Sequence, residues 1–251
     1  MKSIFTIALF ALCVANTFAV PFSQKTFGQF LSNVKDPSQH ESILKYIDSV
    51  ECVNEGQKIS IAKIYCQVLA NQKNLLPFNE YIEKSKKKIV DLKLDKITPA
   101  TELKIIIPWY QKEYAAQAFE YIKMQPIEVQ NEYDMTGWFY HRFGQHKEAY
   151  DFLVRHPRFL YLAVNSAVKL KDDNKIFEAA TLSTKYQLNA IQAKYIVDAV
   201  CKNLVVSDVI KPEDVKILLQ KLNRKFVTNL AINKKDWEPI VVQLQIALKV
   251  Y

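Results

Sequence analysis

From residue 38 onward, apolar residues recur every three or four positions, the period of helices that bury one face. Over 38–50, Ile43, Leu44, Ile47 and Val50 share a face. They follow Ser38-Gln39-His40-Glu41, the spacing of a capping box, in which hydroxyl and carboxylate each satisfy an orphan amide. Residues 57–70 place Ile59, Ala62, Cys66 and Leu69 on one stripe, and 78–92 repeat the pattern with Phe78, Ile82, Ile89 and Leu92. Lys84, Lys86, Lys87 and Lys88 fall in that last helix and read as its solvated face. Thr98-Pro99 has the form of an N-cap followed by a first-turn proline. Leu103 to Ile107 fits a short strand or an approach to Pro108 equally well. Farther on, Leu188, Ile191, Tyr195, Ile196, Ala199 and Val200 predict a wide apolar face on a central helix. Lys211-Pro212-Glu213-Asp214 opens a helix with the stripe Val215, Leu218, Leu219 and Leu222. Asp236 can cap a final helix carrying Ile240, Val241, Leu244, Ala247 and Leu248. Only four glycines occur, which argues against hairpin-rich β architectures. The expected class is all-α.

A repeat is visible within this pattern. Pro108 to Pro126, PWYQKEYAAQAFEYIKMQP, aligns without gaps on Phe139 to Pro157, FYHRFGQHKEAYDFLVRHP. Ala118 meets Ala149, Phe119 meets Tyr150, Ile122 meets Leu153, and Pro126 meets Pro157. The small alanine lets a partner helix approach, the aromatics fill the space between units, and the proline ends each unit. A third copy, Asn174 to Leu182 (NKIFEAATL), fits after a gap.

Within the second copy, Trp138 to Tyr150 carries an aromatic first helix, Gly144 near the turn, and Glu148-Ala149 opening the second helix. This segment resembles the tetratricopeptide repeat. The resemblance implies stacked antiparallel helix pairs whose concave face binds peptides or partner proteins. On that basis Tyr110, Gln111 and Tyr114 correspond to His141, Arg142 and Gln145, and these six would form the partner-binding surface. The expected fold is an array of antiparallel helix pairs, either a solenoid of this kind or an irregular helical bundle. It would be a single domain over 20–251 with a repeat-like core at about 100–190.

The N-terminus adds an address. Lys2 precedes the apolar run Ile4 to Ala15, and small residues stand at the −3 and −1 places of a cut after Ala19. Residues 1–19 therefore read as a cleaved secretory signal, with the protein secreted or held in a secretory-pathway lumen. No later run has membrane-spanning length, so no transmembrane segment is expected in the mature chain.

Composition narrows the chemistry further. The formal charge is +8, which favours an acidic partner, and no nucleic-acid signature accompanies it. Cys52 and Cys66 are close enough in sequence to form a disulfide, whereas Cys201, in an apolar helix, reads as a buried free thiol. His141, His146 and His156 cluster beside Glu148 and Asp151. However, His141 and His146 straddle a glycine turn and would not share a helix face, so no metal is expected. G-x-S-x-G, phosphate-loop and dinucleotide signatures are missing, and no cofactor or catalytic residue is expected. The first reading is a non-catalytic binding or scaffold protein that engages a protein or peptide. The alternatives are a helical carrier of an apolar, lipid-like ligand and a secreted enzyme without a recognisable motif.

Overall fold

The computed structural model describes residues 20–107 and 113–251. Both residues 1–19, on which the expected secretory signal falls, and the stretch Pro108 to Lys112 lie outside the described residues. The described chain contains fourteen α-helices and one two-stranded contact, the all-α array of helices expected from the periodicity. None of the described helices is long and apolar enough to cross a membrane. The helices divide into two compact units, one up to Ala118 and one from Phe119.

The first unit begins with β1 (Val20–Pro21), which pairs in parallel with β2 (Val50–Glu51). Between them lie α1 (Gln24–Asn33) and α2 (His40–Ser49). The chain continues through α3 (Glu55–Ala70), α4 (Phe78–Asp91), α5 (Pro99–Ile106) and the start of α6 (Ala115–Lys123). The capping box expected at Ser38 is replaced by an earlier cap. Asp36 accepts from the Ser38 amide and hydroxyl at 3.0 and 2.8 Å, with Pro37 in the first turn of a 3₁₀ segment. Aspartate before proline forms this turn readily, because its side chain bonds two residues on.

Helix α3 starts at Asn54, whose side chain accepts from the Gln57 amide at 2.9 Å. It is buried on two faces rather than on the one stripe expected. Ile61, Ile64 and Val68 join Ile43, Tyr46 and Ile47 of α2, while Cys66 on the other side lies beside Ser85 of α4. A helix packed against α2, α4 and α5 together keeps only a narrow, half-exposed polar strip at Ser60, Lys63 and Gln67, so its apolar positions do not fall on a single stripe. The ambiguous stretch Leu103 to Ile107 is resolved as the end of α5 and the residue after it, with Leu103, Ile105, Ile106 and Ile107 buried. The Tyr81 hydroxyl donates to the Ile106 carbonyl and ties α4 to α5. Of the lysine run of α4, Lys84, Lys86 and Lys87 are exposed and Lys88 is largely covered, and three of the four are paired. Lys84 meets Glu80 at 2.8 Å, Lys86 meets Glu102 at 3.3 Å, and Lys88 meets Asp48 at 3.0 Å.

The second unit holds the rest of α6, then α7 (Ile127–Glu132), α8 (Thr136–Arg142), α9 (His146–Leu153), α10 (Leu160–Leu170) and α11 (Asp173–Ser183). After these come α12 (Ala190–Ala199), which runs into a π-helical turn at Val200–Leu204, α13 (Pro212–Val227) and α14 (Lys234–Leu248). Two hairpins share one turn geometry. After α8, Gly144 takes φ 76°, its amide bonds the His141 carbonyl, and the next amide bonds Tyr140. After α10, Lys171 takes φ 55°, and the corresponding bonds reach Val168 and Ala167. Each is a Schellman turn, with the left-handed residue just past the helix. The third repeat copy is thus real as a hairpin, α10–α11, although its Glu178-Ala179 pair sits one turn deeper in the helix than Glu148-Ala149.

Lysine in the left-handed region carries a Cβ penalty that glycine avoids. Lys171 is exposed, so Lys171→Gly is expected to raise stability by about 0.5–1 kcal/mol, read as a shift in the urea midpoint. A loss would mean that its side chain makes contacts outweighing the backbone gain.

The helices of this unit form two rows. In one, the His141 ring of α8 meets Ser166 of α10. Farther along the same row, the Arg158 carbonyl and Tyr161 on the α10 side meet Gln192 and Tyr195 of α12. In the other row, the Tyr150 hydroxyl of α9 donates to Glu178 of α11 at 2.6 Å, and Lys225 of α13 caps the end of α11. Helix α14 packs on α12 and α13. Both α10–α12 contacts span 34 residues, so the two helices run parallel with the step of a tetratricopeptide unit.

Candidate functional site

The six residues expected to form a partner surface are placed unequally. Tyr110 and Gln111 lie outside the described residues. Tyr114 belongs to the first unit and is 5% exposed. Its hydroxyl donates to the Leu76 carbonyl at 2.6 Å, and its ring packs 4.9 Å from Tyr81 and 5.5 Å from Phe78. This corrects the sequence reading, because a ring held in the core cannot be offered to a partner. Burial raises the Tyr114 pKa above its ordinary value, with Glu80 and Glu113 adding to the shift.

His141, Arg142 and Gln145 belong to the second unit and cluster at the α8–α9 turn. Arg142 and Gln145 are exposed. The Arg142 guanidinium lies 5.2 Å from the Trp138 ring centre, so one face of that charge rests on an aromatic. His141 is half-buried, with Nδ1 2.8 Å from the Ser166 hydroxyl. Its ring meets that of His146 at 5.4 Å. Residues on opposite strands of a hairpin converge across a tight turn, so the separation inferred from helix faces alone does not hold. His146 Nδ1 is shielded from solvent without a hydrogen-bond partner. Among the described residues, no three His, Cys, Asp or Glu side chains converge as a metal site needs.

Burial lowers the His141 pKa, and the neighbouring His146 and Lys169 lower it further. Its folded value therefore lies below its unfolded one. As pH falls through the ordinary histidine range, the unfolded chain takes up a proton that the folded chain refuses, so stability drops. The drop levels off once the folded imidazole is itself protonated. Thermal melts between about pH 7.5 and about pH 5 should show a smaller decline for His141→Gln than for the native chain. Equal declines would assign the acid sensitivity to other groups.

Along this row, α8, α10 and α12 each expose side chains, with the α8–α9 turn near the end of α10 and the start of α12 beside the start of α10. Arg142 and Lys169 are exposed at the end of α8 and of α10. On α12, Ile191 and Tyr195 are 70% and 51% exposed, contrary to the central apolar face expected there. Only Ala193, Ile196, Val197 and Ala199 of that helix are buried. The Tyr195 ring sits 6.2 Å from the half-buried ring of Tyr161. Arg158 bonds Asp134 at 2.6 Å, and Lys194 bonds Asp198 at 3.1 Å, leaving cations in excess on this face. Sequence reasoning missed Tyr161, Lys169 and Tyr195. The signal for Tyr161 and Tyr195 was the 34-residue step, which the 31-residue alignment obscured; Lys169 has no such signal.

The thiols are not a site. Cys52 and Cys66 are free, contrary to the staple that their spacing allowed. Cys52 packs against the α2 side of the core, whereas Cys66 lies fully buried beside Ser85 of α4, where desolvation pushes its thiol up to about 12. Cys201 is also free, and burial raises it to about 11. A nucleophilic thiol needs the opposite shift.

Comparison of the chain with protein families, with characterised proteins and with solved structures finds no match.

Proposed function

We propose that this is a secreted or lumenal, non-catalytic binding protein. It takes an acidic protein or peptide segment on the face formed by α8, α10 and α12. The observation that carries this reading is the exposure of Ile191 and Tyr195 at the start of α12, on a strip whose opposite end carries Arg142 and Lys169 at the ends of α8 and α10. Apolar side chains of this size, with cations farther along the same strip, suit a ligand with an apolar anchor and carboxylates to one side. His141 and Gln145 border the strip at the α8–α9 turn.

Capture from native secretory material by tagged protein tests the reading. The control carries Arg142→Ala, Lys169→Ala and Tyr195→Ala, and its helicity is first checked by circular dichroism. A partner held by the native chain, lost from the folded control and weakened by salt supports the proposal, because exposed charges are screened. A partner retained by the control places binding on another surface. Co-purification of lipid without a protein partner moves the chain to the carrier class.

A further inference from the structure

Helix α14 packs on α12 and α13, and its outer face is not an ordinary solvated one. Trp237, Ile240, Val241, Leu244 and Ala247 are buried inward. On the opposite side, Pro239, Val242, Ile246 and, just past the helix, Val250 are exposed, with Val242 at 46% and Ile246 at 60%. Their spacing of three, four and four residues lines them along one stripe. A helix with one face buried against its neighbours ordinarily carries polar residues on the other, whereas this one carries an apolar stripe there.

We propose that the stripe is covered by α14 of a second copy, packed antiparallel about a two-fold axis between Val242 and Ile246. Val242 then meets Ile246 of the second copy, and Pro239 meets Val250. The charges argue for this occupant and this direction. Glu238 and Lys249 flank the same side of the stripe near its two ends, and both are exposed, Glu238 sharing its carboxylate with Lys234 of its own helix at 3.5 Å. In an antiparallel pair, flanks of the same kind face each other. Each Glu238 therefore lies level with Lys249 of the other copy, and the contact closes on itself. Parallel pairing instead sets Glu238 level with Glu238 and Lys249 level with Lys249. One helix face of about 22 Å buries less than a standard interface of roughly 1,600 Å², so the association is expected to be weak and reversible.

Sedimentation velocity of the full chain, expressed with its own N-terminal segment so that any processing occurs, tests this over about 1–200 µM. The expected result is a monomer–dimer equilibrium within that range. Val242→Glu with Ile246→Glu should stay monomeric throughout with unchanged helicity, since both positions are exposed. Glu238→Lys or Lys249→Glu alone should weaken the dimer about threefold or more, and the two together should restore it. A native chain that is monomeric at every concentration overturns the proposal. So does a dimer that survives the double glutamate variant, or a combined charge swap no stronger than the single ones.

Discussion

Gly137→Val is expected to destabilise the second unit by about 2–3 kcal/mol or more. Gly137 lies in α8 where that helix approaches α9 most closely. A Cβ placed there would stand 2.7 and 2.9 Å from Leu153 Cγ and Cδ2, and 2.9 Å from Phe152 Cβ. Leu153 is fully buried and Phe152 is 9% exposed. Neither can swing away, because their surroundings are filled and the Phe152 Cβ is fixed to the backbone. Relief therefore needs α8 and α9 to separate, which strips contacts from both helices. Replacing glycine within a helix returns somewhat under 1 kcal/mol of backbone entropy, which does not offset overpacking on this scale. Urea unfolding followed by far-ultraviolet circular dichroism measures the change. Gly137→Ala tests the same contact with one methyl group. If the alanine variant matched or exceeded the native stability, α8 would have room to shift and the close approach would not be a constraint.

The second large effect is expected at Lys225, where the loss from Lys225→Met should be about 2–3 kcal/mol. The Lys225 ammonium donates to the Ser183 and Thr184 carbonyls at 3.1 and 2.9 Å, and to the Tyr186 carbonyl as well. Ser183 and Thr184 close α11 and Tyr186 lies in the turn just beyond it, so the positive charge sits where the helix dipole favours it. Methionine keeps most of the hydrocarbon stem and removes only the donors, so the change isolates the cap from packing. Charge-assisted bonds contribute about 1.5–3 kcal/mol each, and the partial exposure of this site reduces their sum. The urea midpoint and thermal unfolding read the loss. A change under about 0.5 kcal/mol would mean that water replaces the ammonium without cost.

Much of the helical framework was legible in the sequence, because amphipathic spacing and caps act locally. Thr98 accepts from the Thr101 amide with Pro99 in the first turn, as its residue types require. The 31-residue repeat maps α6 onto α9, with Ala118 and Ala149, Phe119 and Tyr150, and Ile122 and Leu153 all buried. One further signal was present and passed over. Gly137, Tyr140, Ala149 and Leu153 follow the glycine–tyrosine and alanine–aromatic spacing of a tetratricopeptide unit, with leucine at the last place. Gly144 drew attention as the turn residue, whereas the helix-contact glycine was Gly137.

The candidate surface was far less legible. Tyr114 and Tyr195 are both tyrosines in helical surroundings, yet one is locked to the Leu76 carbonyl and the other faces solvent. Local spacing gives the side of a helix on which a residue lies, but not whether another helix covers that side. Covering depends on contacts between residues far apart in sequence, such as Tyr114 with Leu76 and Tyr161 with Tyr195. For this protein the sequence by itself determined the helical class, most helix positions and a repeated hairpin, since each follows from interactions within a few turns of chain. Only the tertiary structure decided which faces are buried, that His141 meets His146, that Cys52 and Cys66 stay apart, and that the outer face of α14 carries an apolar stripe. Those outcomes follow from the packing of one helix on another, which close-range periodicity does not encode.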